Sequence, residues 1–458
     1  MTPNTLVFRL LLALVVLAPL PLGANRPLAW TALAVGVGVL LCLWTSLIAA
    51  GRAHAPVPLA RMAPAVVLFG ASMLWAAVQA LPGTPEAWHS PVWREAAAAL
   101  ASGSGTVPTG GGRIALDPGG VGRALMQMLA YAGIFYLAVQ LGRDRSRARE
   151  GLVAVALAGV VYASYGLIVH FSGAERILWL EKWAYRGDLT STFVNRNSYG
   201  SYAAIGMTCC CALFVHGMSS GRRSRRAYQV AEAVLVRALP YLAAAIILGM
   251  AVLLTHSRAA MVAAGAGLLI LVIALMRARI MPPRFGMLAV SALALAALTA
   301  FTLGGRGTVE RIADGVTDQT RLDLYRLAIV AVNDAPLTGH GFGGYTATFP
   351  IYRDTSLPYP ENYVQAHNVH LEMAQDLGLA AFAALYGGIG WIVAVCAAGL
   401  TRRRRDHVYP AVAIAVTVLL AGHGLVDFSL QMPAIAATFA LLLGLGFTHA
   451  FGTSAKAE

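Results

Sequence analysis

Hydrophobic residues in this chain come in long runs parted by short polar stretches, with no strand-like alternation. Runs long enough to cross a hydrocarbon core of roughly 30 Å, at about 1.5 Å per helical residue, fall at 5–22, 28–50, 62–81, 121–142, 151–171, 198–218, 238–255, 259–276, 285–303, 370–400, 408–426 and 432–451. Each must be a helix, because lipid offers nothing to the backbone N–H and C=O groups and a helix satisfies them within one segment. The pattern predicts an all-α polytopic membrane protein with about 12 transmembrane helices. The seventh and eighth runs are separated only by Thr255-His256-Ser257-Arg258. Read as one helix they would bury an arginine in lipid at a cost of several kcal/mol, so two helices joined by a tight turn are expected.

One long polar stretch interrupts the pattern before the tenth run. It divides the chain into residues 1–303 with nine spans, a loop at 304–367, and residues 368–458 with three spans and a tail. Inside the loop, Thr320 to Asn333 places Leu322, Tyr325, Ile329 and Val332 near helical spacing, and Pro336 follows. That predicts a short amphipathic helix lying over the bundle. Gly339-His340-Gly341-Phe342-Gly343-Gly344 then breaks it. Tyr345, Phe349, Tyr352, Tyr359 and Tyr363 suit an interfacial belt, or else a surface for stacking sugars. Ser102 to Gly122, rich in Gly, Thr and Pro, reads as a flexible loop without a helix.

Composition agrees with the runs: 58% of residues are hydrophobic and 12% charged, outside the usual range of soluble domains. The net charge of +13 adds orientation. Arg143, Arg145, Arg147 and Arg149, then Arg222, Arg223, Arg225, Arg226 and Arg237, then Arg277, Arg279 and Arg284, then Arg402 to Arg405 fall on one side if both chain ends are cytoplasmic. The excess of arginine therefore reflects membrane topology and gives no reason to expect nucleic-acid binding. Loops 82–120, 172–197 and 304–367 then lie outside. The first run could instead be a signal peptide, given Leu22-Gly23-Ala24 at its end. Cys42, Cys209, Cys210, Cys211 and Cys396 all sit in membrane runs, which argues against a disulfide framework.

Three arginines are expected on the outer face: Arg196, Arg258 and Arg321. The first two stand at helix starts, where free N–H groups and the helix dipole favour anions. Guanidinium groups there suit a diphosphate held by paired donors. Snorkelling to lipid headgroups is the alternative. His367 opens a membrane run, and an imidazole can accept a proton at neutral pH. His367, His370 and Glu361 could also form a metal set, but no His-Glu-x-x-His signature accompanies them, so no metal and no other cofactor is expected. His423 and Asp427, one turn apart, read either as a functional polar pair or as a tie between helices.

Several stretches resemble the O-antigen ligase and polymerase superfamily over about residues 185–435. They are Thr192-Phe193-Val194-Asn195-Arg196-Asn197, Ser257-Arg258, Arg321-Leu322-Asp323-Leu324-Tyr325, Pro336-Leu337-Thr338-Gly339-His340-Gly341, and Ala366-His367-Asn368 followed by Gly378. The resemblance implies a GT-C-like glycosyltransferase of the bacterial inner membrane with a large periplasmic loop before its tenth span. Such an enzyme takes a glycan from undecaprenyl diphosphate to a periplasmic acceptor, here lipid A-core oligosaccharide before other glycans. Carried over by motif, His367, Arg321 and Arg258 are the catalytic residues. Arg196, Asn195, Asn368, Tyr325 and His340 are expected to contact substrate. Tyr325 departs from the Leu often found at its place, which leaves the subclass open. A polysaccharide polymerase or a protein O-oligosaccharyltransferase would share this chemistry. A transporter of a lipid-linked anion is the remoter reading, since broken midplane helices and symmetric halves are not visible.

Overall fold

Prolines and short polar caps write most of the helix starts. Proline is rigid at the first helical position and lacks only an N–H that would be unpaired there anyway. In the computed structural model, which describes residues 2–104, 111–221, 233–292, 316–357, 362–403 and 405–452, it opens α1 (Pro3–Leu17), α2 (Pro27–Ala49) and α4 (Pro91–Ser104), and stands in the first turn of α3 (Ala63–Gln79). Asp117 caps α5 (Pro118–Leu141) by accepting from Gly120 N–H at 2.8 Å, and Asp144 caps α6 (Arg145–Phe171). A two-residue hairpin follows, β1 (Arg176–Ile177) against β2 (Leu180–Glu181). Next come α7 (Arg196–Gly221), α8 (Leu239–Leu254), α9 (Arg258–Arg277) and α10 (283–292). The chain continues through α11 (Val316–Asp334), α12 (Tyr345–Tyr352), α13 (Val369–Leu377), α14 (Leu379–Arg402), α15 (Val408–Gly424) and α16 (Pro433–His449).

Among the described residues, seven helices are long and apolar enough to cross a membrane: α2, α5, α6, α7, α9, α14 and the stretch Val234–Leu254 that contains α8. The apolar helices α1, α3, α15 and α16 are shorter. Among the described residues the protein is all-α apart from the hairpin, and it is polytopic. Much of the ninth hydrophobic run, the Arg222 to Arg226 cluster, Arg404, Tyr359 and Glu361 lie outside the described residues.

The expected turn between the seventh and eighth runs is present. His256 takes a positive φ of 49° and Ser257 caps α9 by accepting from Ala260 N–H at 3.2 Å. Four expectations need correction. The Ser102 to Gly122 stretch is not free of helix: α4, with its alanine-rich interior of high helix propensity, runs into it as far as Ser104, and α5 starts within it at Pro118. The run at 370–400 is two helices, broken at Gly378 with φ 75° and ψ 157°, a conformation essentially confined to glycine. A Cβ there would lie 2.4 Å from the Leu337 carbonyl oxygen, because the Pro336–Gly339 turn packs against this break.

The third correction concerns α11. It forms as expected, but its buried face is Leu324, Leu327, Ala328 and Ala331, whereas Leu322 and Ile329 are exposed. Both sets satisfy helical spacing, and the choice was made by what the rest of the loop offers. Tyr345 and Phe349 of α12, stacked at 5.0 Å, together with Leu357 and Ala366, form a small core against that face. The fourth correction follows: Tyr345 and Phe349 are core residues rather than belt or sugar platform.

Close helix contacts rest on small residues. Gly159 of α6 and Gly206 of α7 meet backbone to backbone, and Gly267 of α9 lies against Leu419 of α15. The two ends of the bundle differ in character. At one end α7 and α9 begin and α15 finishes, under α11 and α13. At the other, Arg145 pairs with Asp406 at 2.8 Å, Arg143 donates to the Phe451 carbonyl at 3.1 Å, and Arg9 pairs with Glu150 at 2.7 Å. Two cavities of about 340 and 710 Å³, lined by Arg149 and Arg237 and by Arg277, Arg279 and Arg403, belong to that arginine-rich end.

Candidate functional site

At the end where α7 and α9 begin, the loop before α7 turns on two carboxylate and tyrosine contacts. Asn195 Oδ1 accepts from the N–H groups of Asn197 and Ser198, at 2.7 and 3.3 Å, which caps α7 and fixes Arg196 at its first position. Arg196 then pairs with Asp188 at 2.7 Å, and its guanidinium lies 5.6 Å from the Tyr185 ring centre. The other oxygen of Asp188 meets His256 Nδ1 at 2.8 Å. Asp188 thus ties the start of α7 to the turn before α9. Arg258 stands two residues beyond His256, exposed at the first position of α9, and makes no hydrogen bond or ion pair among the described residues.

Arg321 comes from α11. It is half-buried and likewise without a hydrogen bond or ion pair among the described residues. Its charge acts on Tyr185 and on His367, as does that of Asp427. Tyr185 is where Arg196 and Arg321 converge: Asn195 Nδ2 donates to its hydroxyl at 3.2 Å, and Arg196, Arg321 and Asp188 all act on it electrostatically.

His367 occupies the turn into α13. Its backbone is left-handed, with φ 53°, and its ring packs edge-on against Phe428 at 5.1 Å. Nδ1 is buried without a hydrogen-bond partner among the described residues. Burial holds the imidazole below its ordinary pKa; the Asp427 charge pulls it up and the Arg321 charge pushes it further down. Asn368 beside it caps α13, accepting from His370 and Leu371 N–H groups at 3.1 Å. Tyr325 of α11 donates to the carbonyls of His367 and Leu425, at 3.1 and 3.3 Å, and so fastens α11 to the turn.

Not all the expected residues converge. His340 hydrogen-bonds to the Ala331 carbonyl at 2.8 Å and packs edge-on against Tyr352, tying the glycine loop to α11; burial holds its pKa below the ordinary value. Neither contact involves the Arg321–His367 group. His370 uses both ring nitrogens, with Tyr386 hydroxyl at 2.6 Å and the Ala421 carbonyl at 2.9 Å, which leaves it poorly suited to be a metal ligand. His423 and Asp427 do not pair with each other. Each instead reaches α7, His423 to Ser201 at 2.7 Å and Asp427 to Asn197 at 2.6 Å.

Three participants escaped the sequence reading. Asp188 carried a usable signal, as an acidic residue eight positions before an arginine that needs orienting. Tyr185 carried none, since its place depends on a positive φ of 55° inside the loop. Glu372, buried in α13, hid within a hydrophobic run; burial pushes its carboxyl up to about 7 against the pull of bonds from Ala366 and Gln431.

The arrangement offers two guanidinium groups without partners among the described residues and one imidazole with an open buried nitrogen, on the same end of a membrane bundle. That is a surface for an anionic group next to a proton acceptor. Residues 243–386 match the family described as O-Antigen ligase, so the chain carries a domain of that family there, a membrane glycosyltransferase type acting on lipid-linked glycans. The matched stretch includes Arg258, Arg321, His340, His367 and Asn368 and stops short of Arg196 and Asp427. No curated protein matches the chain.

Proposed function

We propose, with the O-antigen ligase domain as premise, that the chain transfers a glycan from undecaprenyl diphosphate to a periplasmic acceptor, lipid A-core oligosaccharide, with inversion at the anomeric carbon. The observation that carries the reading is Arg321, a half-buried guanidinium with no bonded partner among the described residues, acting electrostatically on a histidine whose Nδ1 is also unpaired. Basic loops cluster at the opposite end of the bundle, and cytoplasmic loops retain arginine. On this reading both termini are cytoplasmic, about twelve helices span the inner membrane as a GT-C-like bundle with α14 alone as the tenth span, and the site faces the periplasm.

The chemistry follows from these residues. The acceptor hydroxyl oxygen attacks the anomeric carbon as His367 takes its proton. The bond from that carbon to the diphosphate oxygen breaks, and the electron pair leaves on the diphosphate. Arg321 and Arg258 receive this charge through preorganised hydrogen bonds, and losing one such donor costs about 10²–10³-fold in rate. Arg196, already paired with Asp188, acts by holding Tyr185 and the loop before α7. Asn195 and Asn368 set the helix starts, Tyr325 fixes the His367 turn, and His340 steadies the loop that the substrate passes. One displacement on one face leaves no covalent enzyme intermediate, so the product carries inverted configuration.

The test is reconstitution of the purified chain in proteoliposomes with an undecaprenyl-diphosphate glycan and three acceptors: lipid A-core, a second carrier-linked glycan, and a protein. Joined lipid A-core product with inverted linkage is expected. Product with either of the other acceptors alone would overturn the ligase assignment in favour of a polymerase or a protein O-oligosaccharyltransferase. Movement of the donor across the bilayer without product would overturn transfer altogether.

A further inference from the structure

The short helix α13 carries two buried carboxyl groups one turn apart, Glu372 and Asp376, at 6% and 0% exposure. A carboxylate so placed is costly unless hydrogen bonds satisfy it. Each of these holds the backbone of a different loop. Asp376 Oδ2 accepts from Gly343 N–H at 2.8 Å. Glu372 Oε2 accepts from Ala366 N–H at 2.9 Å, and its Oε1 accepts from Gln431 Nε2 at 2.7 Å.

Those two Glu372 partners flank the histidine. Ala366 is the residue before His367, and Gln431 closes the turn that starts at Asp427 and Phe428, the two residues that bear on the imidazole by charge and by ring contact. His367 also sits in the left-handed region, which a non-glycine residue adopts only at a cost. Something must hold it there. We infer that Glu372 is a positioning residue for His367, clamping the chain on one side of the imidazole to the turn on the other, so that the ring presents its nitrogen at a fixed place. This rests on the proposed transfer reaction. It assigns Glu372 no contact with substrate.

The role predicts a split between binding and turnover. Glu372→Gln keeps the side chain's shape and one acceptor but sets an amide N–H against a backbone or side-chain donor. It is expected to lower kcat about 10–100-fold, the scale of a misplaced catalytic group, while KM for the undecaprenyl-diphosphate glycan stays within about twofold. Gln431→Met leaves the carboxylate and its Ala366 bond and removes only the bond to Oε1. A smaller loss in kcat, about 3–10-fold, is expected, on the scale of one hydrogen bond. If Glu372→Gln does not fold, Gln431→Met decides the matter alone. A wild-type kcat in a folded variant, or a rise in donor KM in place of the loss of kcat, would overturn the inference. Absence of transfer by the wild-type chain would instead overturn the reaction itself, so the two failures are distinguishable.

Discussion

At the scale of single residues, His367 and Arg321 carry the strongest expectations. Removing a proton acceptor positioned on the acceptor hydroxyl costs about 10²–10⁴-fold, so His367→Ala is expected to abolish measurable transfer while the protein accumulates in the membrane as before. Wild-type transfer by that variant would remove the imidazole from the reaction. The pH profile gives a finer test. Burial and the Arg321 charge lower the His367 pKa, and the Asp427 charge raises it. Neutral imidazole, the form that accepts a proton, therefore persists to lower pH than usual. The acid limb of kcat should move to higher pH in Arg321→Gln, because the lowering charge is gone, and to lower pH in Asp427→Asn, because the raising charge is gone. A limb unmoved in both would show that another group titrates. Arg321→Lys keeps the charge but not the forked donors, and is expected to weaken binding of a carrier-lipid analogue. His370 already uses both nitrogens structurally, so its loss should lower melting temperature more than kcat.

At the scale of elements, the site depends on breaks between helices. α13 and α14 are one hydrophobic run divided by Gly378, whose conformation only glycine tolerates. The break separates α13 from α14, so that His367 and the Asn368 cap precede a short helix of its own, with Glu372 and Asp376 buried on it. Gly378→Ala would add backbone strain of about 1–3 kcal/mol and meet the Leu337 carbonyl oxygen. A fall in melting temperature together with loss of transfer is expected, whereas Gly422→Ala, where an added Cβ meets nothing within 4 Å, should leave both unchanged. A Gly378→Ala protein as stable as the wild type would mean that the break belongs to neighbouring packing rather than to the glycine. The turn before α9 is the same device in polar form: Ser257 caps, and His256 is tethered to Asp188, which brings Arg258 to the first helical position.

For the whole molecule, carboxylates answer some arginines at both ends of the bundle, Arg196 with Asp188 at the site end among them. Arg145 has Asp406 and Arg9 has Glu150, whereas Arg258 and Arg321 have no such carboxylate among the described residues. Two guanidinium groups can stabilise a departing diphosphate without a divalent ion. Transfer by the reconstituted protein is accordingly expected to survive excess EDTA. Loss of product restored by Mg²⁺ or Mn²⁺ would overturn that expectation and bring Asp323 and Asp354 forward as candidate ligands.

The sequence by itself determined the class, most of the apolar helices, the turn at His256 and the polar segment with Arg321 and His367. These follow from local rules: run length against the bilayer, arginine kept out of lipid, and motifs short enough to read along the chain. It did not determine which face of α11 is buried, because Leu322 and Ile329 fit helical spacing as well as Leu324, Leu327 and Ala331 do. Only contact with Tyr345 and Phe349 distinguishes the two. Nor could it show that Arg196 is paired with Asp188 while Arg258 and Arg321 have no such partner among the described residues, or that Glu372 in an oily run reaches Ala366 and Gln431. Hydrogen-bond partners 59 residues apart, as Glu372 and Gln431 are, leave no periodic trace. Partnership across such a distance is set when the helices pack, and the tertiary structure alone decides it.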